Sequence, residues 1–198
     1  MYPRFLLFAA PLLSLYLGCQ SMGSTPYLQA VKDGQLYLSN GASQAIPHWG
    51  DPEWTHFFCV RHAEKAKDDP KDPTLTAEGM ARAERLGRIM AEAGLDSVYA
   101  TPYRRNQLTA EPIQRRGNTP PIVTYKPDEQ ENWLLELLKT SQGKKMMVVG
   151  HQNTIPKLLN QLKGGGFAYE NIADLEFGLL YVVATQGFGQ TKIVEVRY

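Results

Sequence analysis

Hydrophobic and polar positions change rhythm along this chain, and each rhythm predicts an element. Two short strand-like runs, Tyr27 to Val31 and Gln35 to Ser39, flank Lys32-Asp33-Gly34, which reads as a hairpin turn. A turn-rich connector, Asn40 to Asp51, comes next, and from there strands and helices alternate. His56 to Arg61 is a compact apolar strand. Over Thr76 to Ala93, apolar residues at Met80, Leu86, Ile89, Met90 and Ala93 make a helical face, closed by Gly94-Leu95 as a C-cap glycine and its hydrophobic partner. Ser97 to Ala100 is a short strand, and Thr101-Pro102 after it reads as a helix start, threonine at N-cap and proline at N1. Ile122 to Tyr125 and Lys145 to Val149 are two more strands. Glu131 to Leu138 and Thr154 to Leu162 are two more helices, the second stopped by Gly164-Gly165-Gly166. Phe177 to Ala184 and Lys192 to Arg197 are terminal strands. This alternation predicts an α/β fold, a three-layer α/β/α sandwich with a mostly parallel central sheet.

Composition changes that picture mainly at one end. A chain of 198 residues with 43% hydrophobic and 21% charged positions suits one domain with a sizeable core. Its 21 basic and 20 acidic residues leave a net charge of +1, so there is no basic excess to support a nucleic-acid partner. Affinity for anions must come from a few placed cations instead. At the N-terminus, a short basic segment, Met1 to Arg4, precedes the apolar run Phe5 to Leu17, interrupted by Ser14 and Tyr16. That run is too short to span a bilayer but suits the core of a signal peptide. It ends in Leu17-Gly18-Cys19 and then a polar stretch, which resembles a bacterial lipoprotein signal apart from Tyr16. The expected organisation is a signal over residues 1–19, a tether with a short hairpin over 20–54, and the main domain over 55–198. Cys19 would carry lipid and hold the protein outside the cytoplasm, at the periplasmic side of the inner or outer membrane; a plain secretory signal or an uncleaved anchor is the alternative. Gln20 after the cysteine favours the outer membrane. Cys59 is the other cysteine, placed inside an apolar strand as a small hydrophobe, so neither a disulfide framework nor metal-type cysteine spacing arises.

Candidate chemistry gathers where the predicted strands end, which is where open α/β sheets bind ligands. Arg61-His62 leaves the first core strand, Thr101-Pro102-Tyr103-Arg104-Arg105 leaves the second, and Gly150-His151-Gln152-Asn153 leaves the one built from Lys145 to Val149. His62 and His151 lie 89 residues apart, yet the topology brings them to one rim. Arg104 and Arg105 fall in the first turns of a helix, where a cation is mildly unfavourable unless an anion joins it. A second helix starts just after His151, and phosphate is the natural occupant of such a rim. His48 and His56 read as hydrogen-bonding residues, and Arg104 as a surface or secondary contact. No carboxylate or second histidine stands at metal-ligand spacing from His62 or His151, so neither a metal nor another cofactor is expected.

The run Arg61-His62-Ala63-Glu64 after an apolar strand is similar to the signature of the histidine phosphatase superfamily, the phosphoglycerate-mutase-like proteins. Leu75-Thr76-Ala77-Glu78-Gly79, Ala100-Thr101-Pro102-Tyr103-Arg104-Arg105 with Thr109-Ala110, and Val148-Val149-Gly150-His151 resemble its later blocks in the same order, from roughly Thr55 to the last residue. The resemblance implies a phosphohistidine intermediate on His62, with Arg61, Arg105 and His151 binding the phosphoryl oxygens and Glu64 either ordering the loop or touching substrate. It implies a carboxylate proton donor as well. Gln152-Asn153 after His151 removes one usual place for it, leaving Asp128, Glu129 and Glu131 as candidates. Only 45 residues separate Arg105 from His151, which suits an open site and a phosphatase of small or protruding phosphomonoesters, sugar phosphates among them. A mutase, a phosphohistidine phosphatase and a non-catalytic phosphate-binding lipoprotein stay open as alternatives.

Overall fold

The computed structural model describes residues 25–198, and in it the chain begins with three short strands, β1 (Leu28–Lys32), β2 (Gln35–Leu38) and β3 (Ser43–Ala45). The alternating part then runs β4 (Thr55–Arg61), α1 (Ala77–Ile89), β5 (Ser97–Ala100), α2 (Arg104–Gly117), β6 (Val123–Thr124), α3 (Gln130–Thr140), β7 (Lys145–Gly150) and α4 (Thr154–Leu162). A hairpin of β8 (Leu179–Gly187) and β9 (Gln190–Arg197) completes it. Six strands make the main sheet in the order β6-β5-β7-β4-β8-β9. The first four of that order are parallel, while β8 runs antiparallel to β4 and β9 to β8.

Every residue of β4 is buried, because its alternate side chains enter two cores. Phe58 and Val60 pack with Leu86 and Met90 of the α1 segment and Ile113 of α2. Phe57 and Cys59 pack on the other face with Leu134 of α3 and Leu158 of α4. Burial pushes the Cys59 thiol far above its ordinary pKa, which keeps it unreactive. The layers are therefore two helices, the sheet, and two helices.

Sequence and structure differ at three places in the fold. The connector after β2 contains β3, paired antiparallel with β2; Ser43, Gln44 and Ala45 are all exposed, so no apolar alternation marked it. The β1–β2 hairpin forms with Asp33 and Gly34 at positive φ, as a tight hairpin turn requires, and Leu28, Val31, Leu36 and Ile46 sit in the same core as Leu86. Met80 is exposed, and Gly79 and Ala83 take its place on the buried face of α1. Gly87 lets α1 lie against α2, since a Cβ there would stand 2.7 Å from the Pro112 carbonyl oxygen. Finally, α2 is capped by Tyr103 and begins at Arg104, not at Pro102. Thr101 does not cap it, because its hydroxyl is engaged across the sheet. The signal and Cys19 lie outside the described residues.

Candidate active site

Pairing of Arg61 with Gly150 in β4–β7 and of Ala100 with Val149 in β5–β7 brings three strand ends level. His62, Thr101 and His151 are the residues that leave those ends. Backbone bonds fix them: the His62 amide donates to the Gly150 carbonyl at 2.9 Å, and the Ala63 amide donates to Thr109 Oγ1 at 3.0 Å. Thr109 in turn donates to the Arg105 carbonyl at 2.7 Å, and Asn106 Nδ2 donates to the Gly150 carbonyl at 2.9 Å. Thus the start of α2 is laced to both histidine-bearing loops.

His62 is only 4% exposed, and its Nδ1 lies 2.7 Å from its neighbour's carbonyl, Ala63 O. A carbonyl only accepts, so the ring proton is on Nδ1 and Nε2 keeps its lone pair. Burial pushes the His62 pKa down to about 3, against the pull of the Ala63 carbonyl and with help from His151, Arg105 and Arg61. The His151 ring stands edge-on at 5.6 Å, and burial, then Arg105 and Arg61, push its pKa to about 4. Two histidines held neutral make stability depend on pH. In the unfolded chain each takes up a proton near pH 6.5 but in the fold only near 3 to 4, so stability falls as pH drops below about 6.5. Each histidine contributes a slope of about 1.4 kcal/mol per pH unit until its folded pKa is reached. Urea titrations at pH 7, 6 and 5 should show the decline, and a His62→Gln, His151→Gln double variant should flatten it.

A cleft of about 510 Å³ opens over these rings, with Lys65, Arg105 and Tyr103 on its walls and Gln152, Asn153 and Asn171 at its far side. Arg105 is half-buried with its guanidinium 4.5 Å from the Tyr103 ring centre. Its contacts are loose: 3.5 Å to His151 Nδ1 and 3.8 Å to the Asp72 carboxylate, while its buried Nε has no partner. Among the described residues no carboxylate lines this cleft. The arrangement can hold an anion and present it to an unprotonated imidazole nitrogen.

Several residues singled out from the sequence stand elsewhere. Arg61 does not line the cleft: its Nη1 donates to the carbonyls of Ala173 (2.8 Å), Asp174 (3.0 Å) and Glu176 (3.1 Å), and its Nη2 to Gln152 Oε1 (3.0 Å). Its guanidinium also lies 4.4 Å from the Phe177 ring centre. It clamps the segment before β8, and Arg61→Ala should destabilise the fold by about 2 kcal/mol, a melting temperature roughly 4–8 °C lower. A melt indistinguishable from wild type would show that the clamp holds nothing. Glu64 does not line the cleft either: both its oxygens accept from Arg82 Nε, at 2.7 and 2.9 Å, which orders the loop after His62. Gly79 sits against that loop, where any Cβ would meet the Glu64 carbonyl.

None of the proposed proton donors lines the cleft, although Pro127, beside Asp128, does. Asp128 is exposed, Glu129 pairs with Lys126 at 2.7 Å, and Glu131 pairs with Lys157 at 2.9 Å; solvated charge at a helix start explains all three. Arg104 has an exposed side chain. His56 Nε2 bonds the Pro47 carbonyl at 3.0 Å, and His48 stacks on Trp54. Three participants escaped sequence reasoning. Asp72 accepts the Arg104 amide at 2.9 Å, so a carboxylate of the chain itself sits at the start of α2. Gln152, read as a missing acid, holds Arg61, and Thr101 Oγ1 lies 3.0 Å from His151 Nε2.

Comparison with known proteins agrees with this geometry. Residues 57–131 match the histidine phosphatase superfamily (branch 1). No curated protein matches the sequence. In structure, the chain is similar to the protein histidine phosphatase SixA complexed with tungstate, at 16% identity and a TM-score of 0.59, over 72% of this chain and 96% of that one. It is similar to the alpha-ribazole phosphatase of Shigella flexneri at 13% identity and a TM-score of 0.59, over 73% and 96%. A mycobacterial glucosyl-3-phosphoglycerate phosphatase aligns at 9% identity and a TM-score of 0.57, over 73% and 98%. The stretch 57–131, which supplies His62 and Arg105 to the cleft, thus matches the histidine phosphatase superfamily (branch 1), and the chain shares its fold with these phosphatases.

Proposed function

We propose that this protein is a phosphatase that works through a phosphohistidine on His62 and accepts phosphate carried on a small or protruding group. The observation that carries the reading is the free Nε2 of His62, fixed by the Nδ1–Ala63 bond, beside a cleft whose charged walls are Lys65 and Arg105. Nε2 attacks phosphorus and the P–O bond breaks with its electron pair on the leaving oxygen, which takes a proton from solvent. Water then attacks the same phosphorus, the P–N bond breaks, and the His62 lone pair is restored. Arg105 and His151, both on the cleft wall, would donate to the phosphoryl oxygens.

A bulky leaving group has room. A second cleft of about 530 Å³ continues from the first through Asn153 and Asn171, walled by Pro156, Phe167 and Tyr169. Phe167 is 96% exposed, on a loop that leaves α4 through three glycines at positive φ. A sugar or other ring borne by the phosphate fits such an aromatic, amide-lined wall. Phosphohistidine is the second reading of the substrate, favoured by the absence of a carboxylate on the phosphate cleft among the described residues: an imidazole leaving through a P–N bond needs less help from a positioned acid. The test is a panel of sugar phosphates, aryl phosphates, phosphoramidate and a phosphohistidine peptide, with trapping of labelled phosphate on the protein. Turnover with label on His62 is expected. Binding without turnover or label across the panel would leave a phosphate-binding protein instead, and transfer of label to a second alcohol would make it a mutase.

The anchor belongs to the same proposal and rests on Leu17-Gly18-Cys19. Cys19→Ser should move the protein from the membrane to the soluble fraction and abolish labelling by fatty acid. Unchanged fractionation would count against a lipid on Cys19.

A further inference from the structure

Thr101 is fully buried just after β5 and does not itself line the cleft, yet its hydroxyl bonds a ring that does. Its carbonyl accepts from Gln107 Nε2 at 2.8 Å, which fixes the backbone, and its Oγ1 lies 3.0 Å from His151 Nε2. The opposite ring nitrogen, Nδ1, lies 3.5 Å from Arg105 Nη2. The ring itself is held edge-on by His62 and Tyr103, and its amide donates to Thr154 Oγ1 at 2.8 Å. It can therefore change which nitrogen carries the proton more easily than it can turn over.

A guanidinium only donates, so with the cleft empty Nδ1 accepts from Arg105, and the ring proton sits on Nε2, donated to the Thr101 oxygen. An anion between Arg105 and His151 reverses the requirement. Arg105 turns its N–H groups to the anion, and a lone pair on Nδ1 would then face a negative oxygen. The ring must instead present an N–H there, and its other nitrogen must find a donor. A hydroxyl can supply one by rotating about its C–O bond; a carbonyl or carboxylate in the same place could not.

We propose that Thr101 is a positioning residue that lets His151 switch tautomer when the phosphate site fills. The exchange balances: His151 takes one proton from solvent at Nδ1, passes through a transient imidazolium, and returns the proton on Nε2, while the Thr101 hydroxyl turns from acceptor to donor. Net charge is unchanged, so the ring gains a donor for the anion without becoming a cation. This inference rests on the phosphate reading of the cleft.

The test is nitrogen NMR of the full chain, labelled in its histidines and titrated with tungstate as the phosphate mimic. Expected is a His151 Nδ1 that is pyridine-like in the free protein and pyrrole-like in the complex, with Nε2 changing in the opposite sense. Thr101→Val should block the switch and weaken tungstate about tenfold, and Thr101→Ser should restore both. If wild type binds no tungstate, the phosphate reading itself fails. If it binds tungstate with His151 unswitched or doubly protonated, the phosphate reading stands and the role of Thr101 is overturned. That wild-type measurement decides even if Thr101→Val does not fold. A Thr101→Ser protein that behaves like Thr101→Val would also overturn it, by showing that shape rather than the hydroxyl matters.

Discussion

His62→Ala is expected to lower phosphatase kcat/KM by roughly 10⁴-fold or more and to erase covalent phosphate labelling altogether. The reason is that Nε2 of His62 is the ring nitrogen left free at the cleft, while His151 has both nitrogens engaged, one with Thr101 and one toward Arg105. His151 therefore cannot substitute as nucleophile without giving up a partner. Removing a buried, neutral imidazole also removes its acid sensitivity, so the variant should lose less stability than wild type between pH 7 and pH 5, which separates loss of chemistry from loss of fold. Steady-state rates on the best substrate, with a phosphate-trapping gel, measure it. Retention of a tenth of the activity would move the nucleophile elsewhere.

Arg105→Ala should cost about 10³-fold in kcat/KM, yet leave the melting temperature close to wild type. Arg61 provides the contrast. It makes four hydrogen bonds within the protein, three to backbone carbonyls and one to Gln152. Arg105 makes only one long contact with His151 and a distant approach to Asp72, while the buried Nε of both arginines is unpaired. A guanidinium kept half-buried with so few partners is organised for a ligand rather than for the fold. Arg105→Lys keeps the charge but loses the fork, and should recover little of the rate. If Arg105→Ala melted far below wild type while its rate held, the two arginines would have exchanged roles.

Much of this site was legible because it obeys rules that act locally along the chain. The apolar run Phe57-Phe58-Cys59-Val60 and the run Met146-Met147-Val148-Val149 announce buried parallel strands, and residues at the carboxyl ends of such strands sit on the ligand rim. That was enough to bring His62, His151 and the pair Arg104-Arg105 to one rim; the family resemblance singled out Arg105. The hidden part depends on partners remote in sequence. Thr101-Pro102 has the composition of a helix start, but a hydrogen bond to His151, 50 residues away, outcompetes the cap. Arg61 sits beside His62 in the run that resembles the family signature, yet the carbonyls that capture it come from a loop with no pattern of its own. Glu64 bends to Arg82 for a similar reason. Asp72, inside the charged stretch Lys67 to Asp72, carried no periodic signal that would send it to the start of α2.

The Arg61 clamp also fixes the moment at which activity can first appear. Its four acceptors lie 91 to 115 positions further along the chain, and β4, whose end carries His62, is flanked by β7 and β8 from the C-terminal half. A nascent polypeptide that has already made His62 and Arg105 therefore has no site. The cleft assembles only after residues beyond β7 have been synthesised and docked, a late, non-local closure of the kind that folds slowly. On the phosphatase reading proposed above, phosphate release is thus a readout of completed folding, absent from any chain cut short before β8.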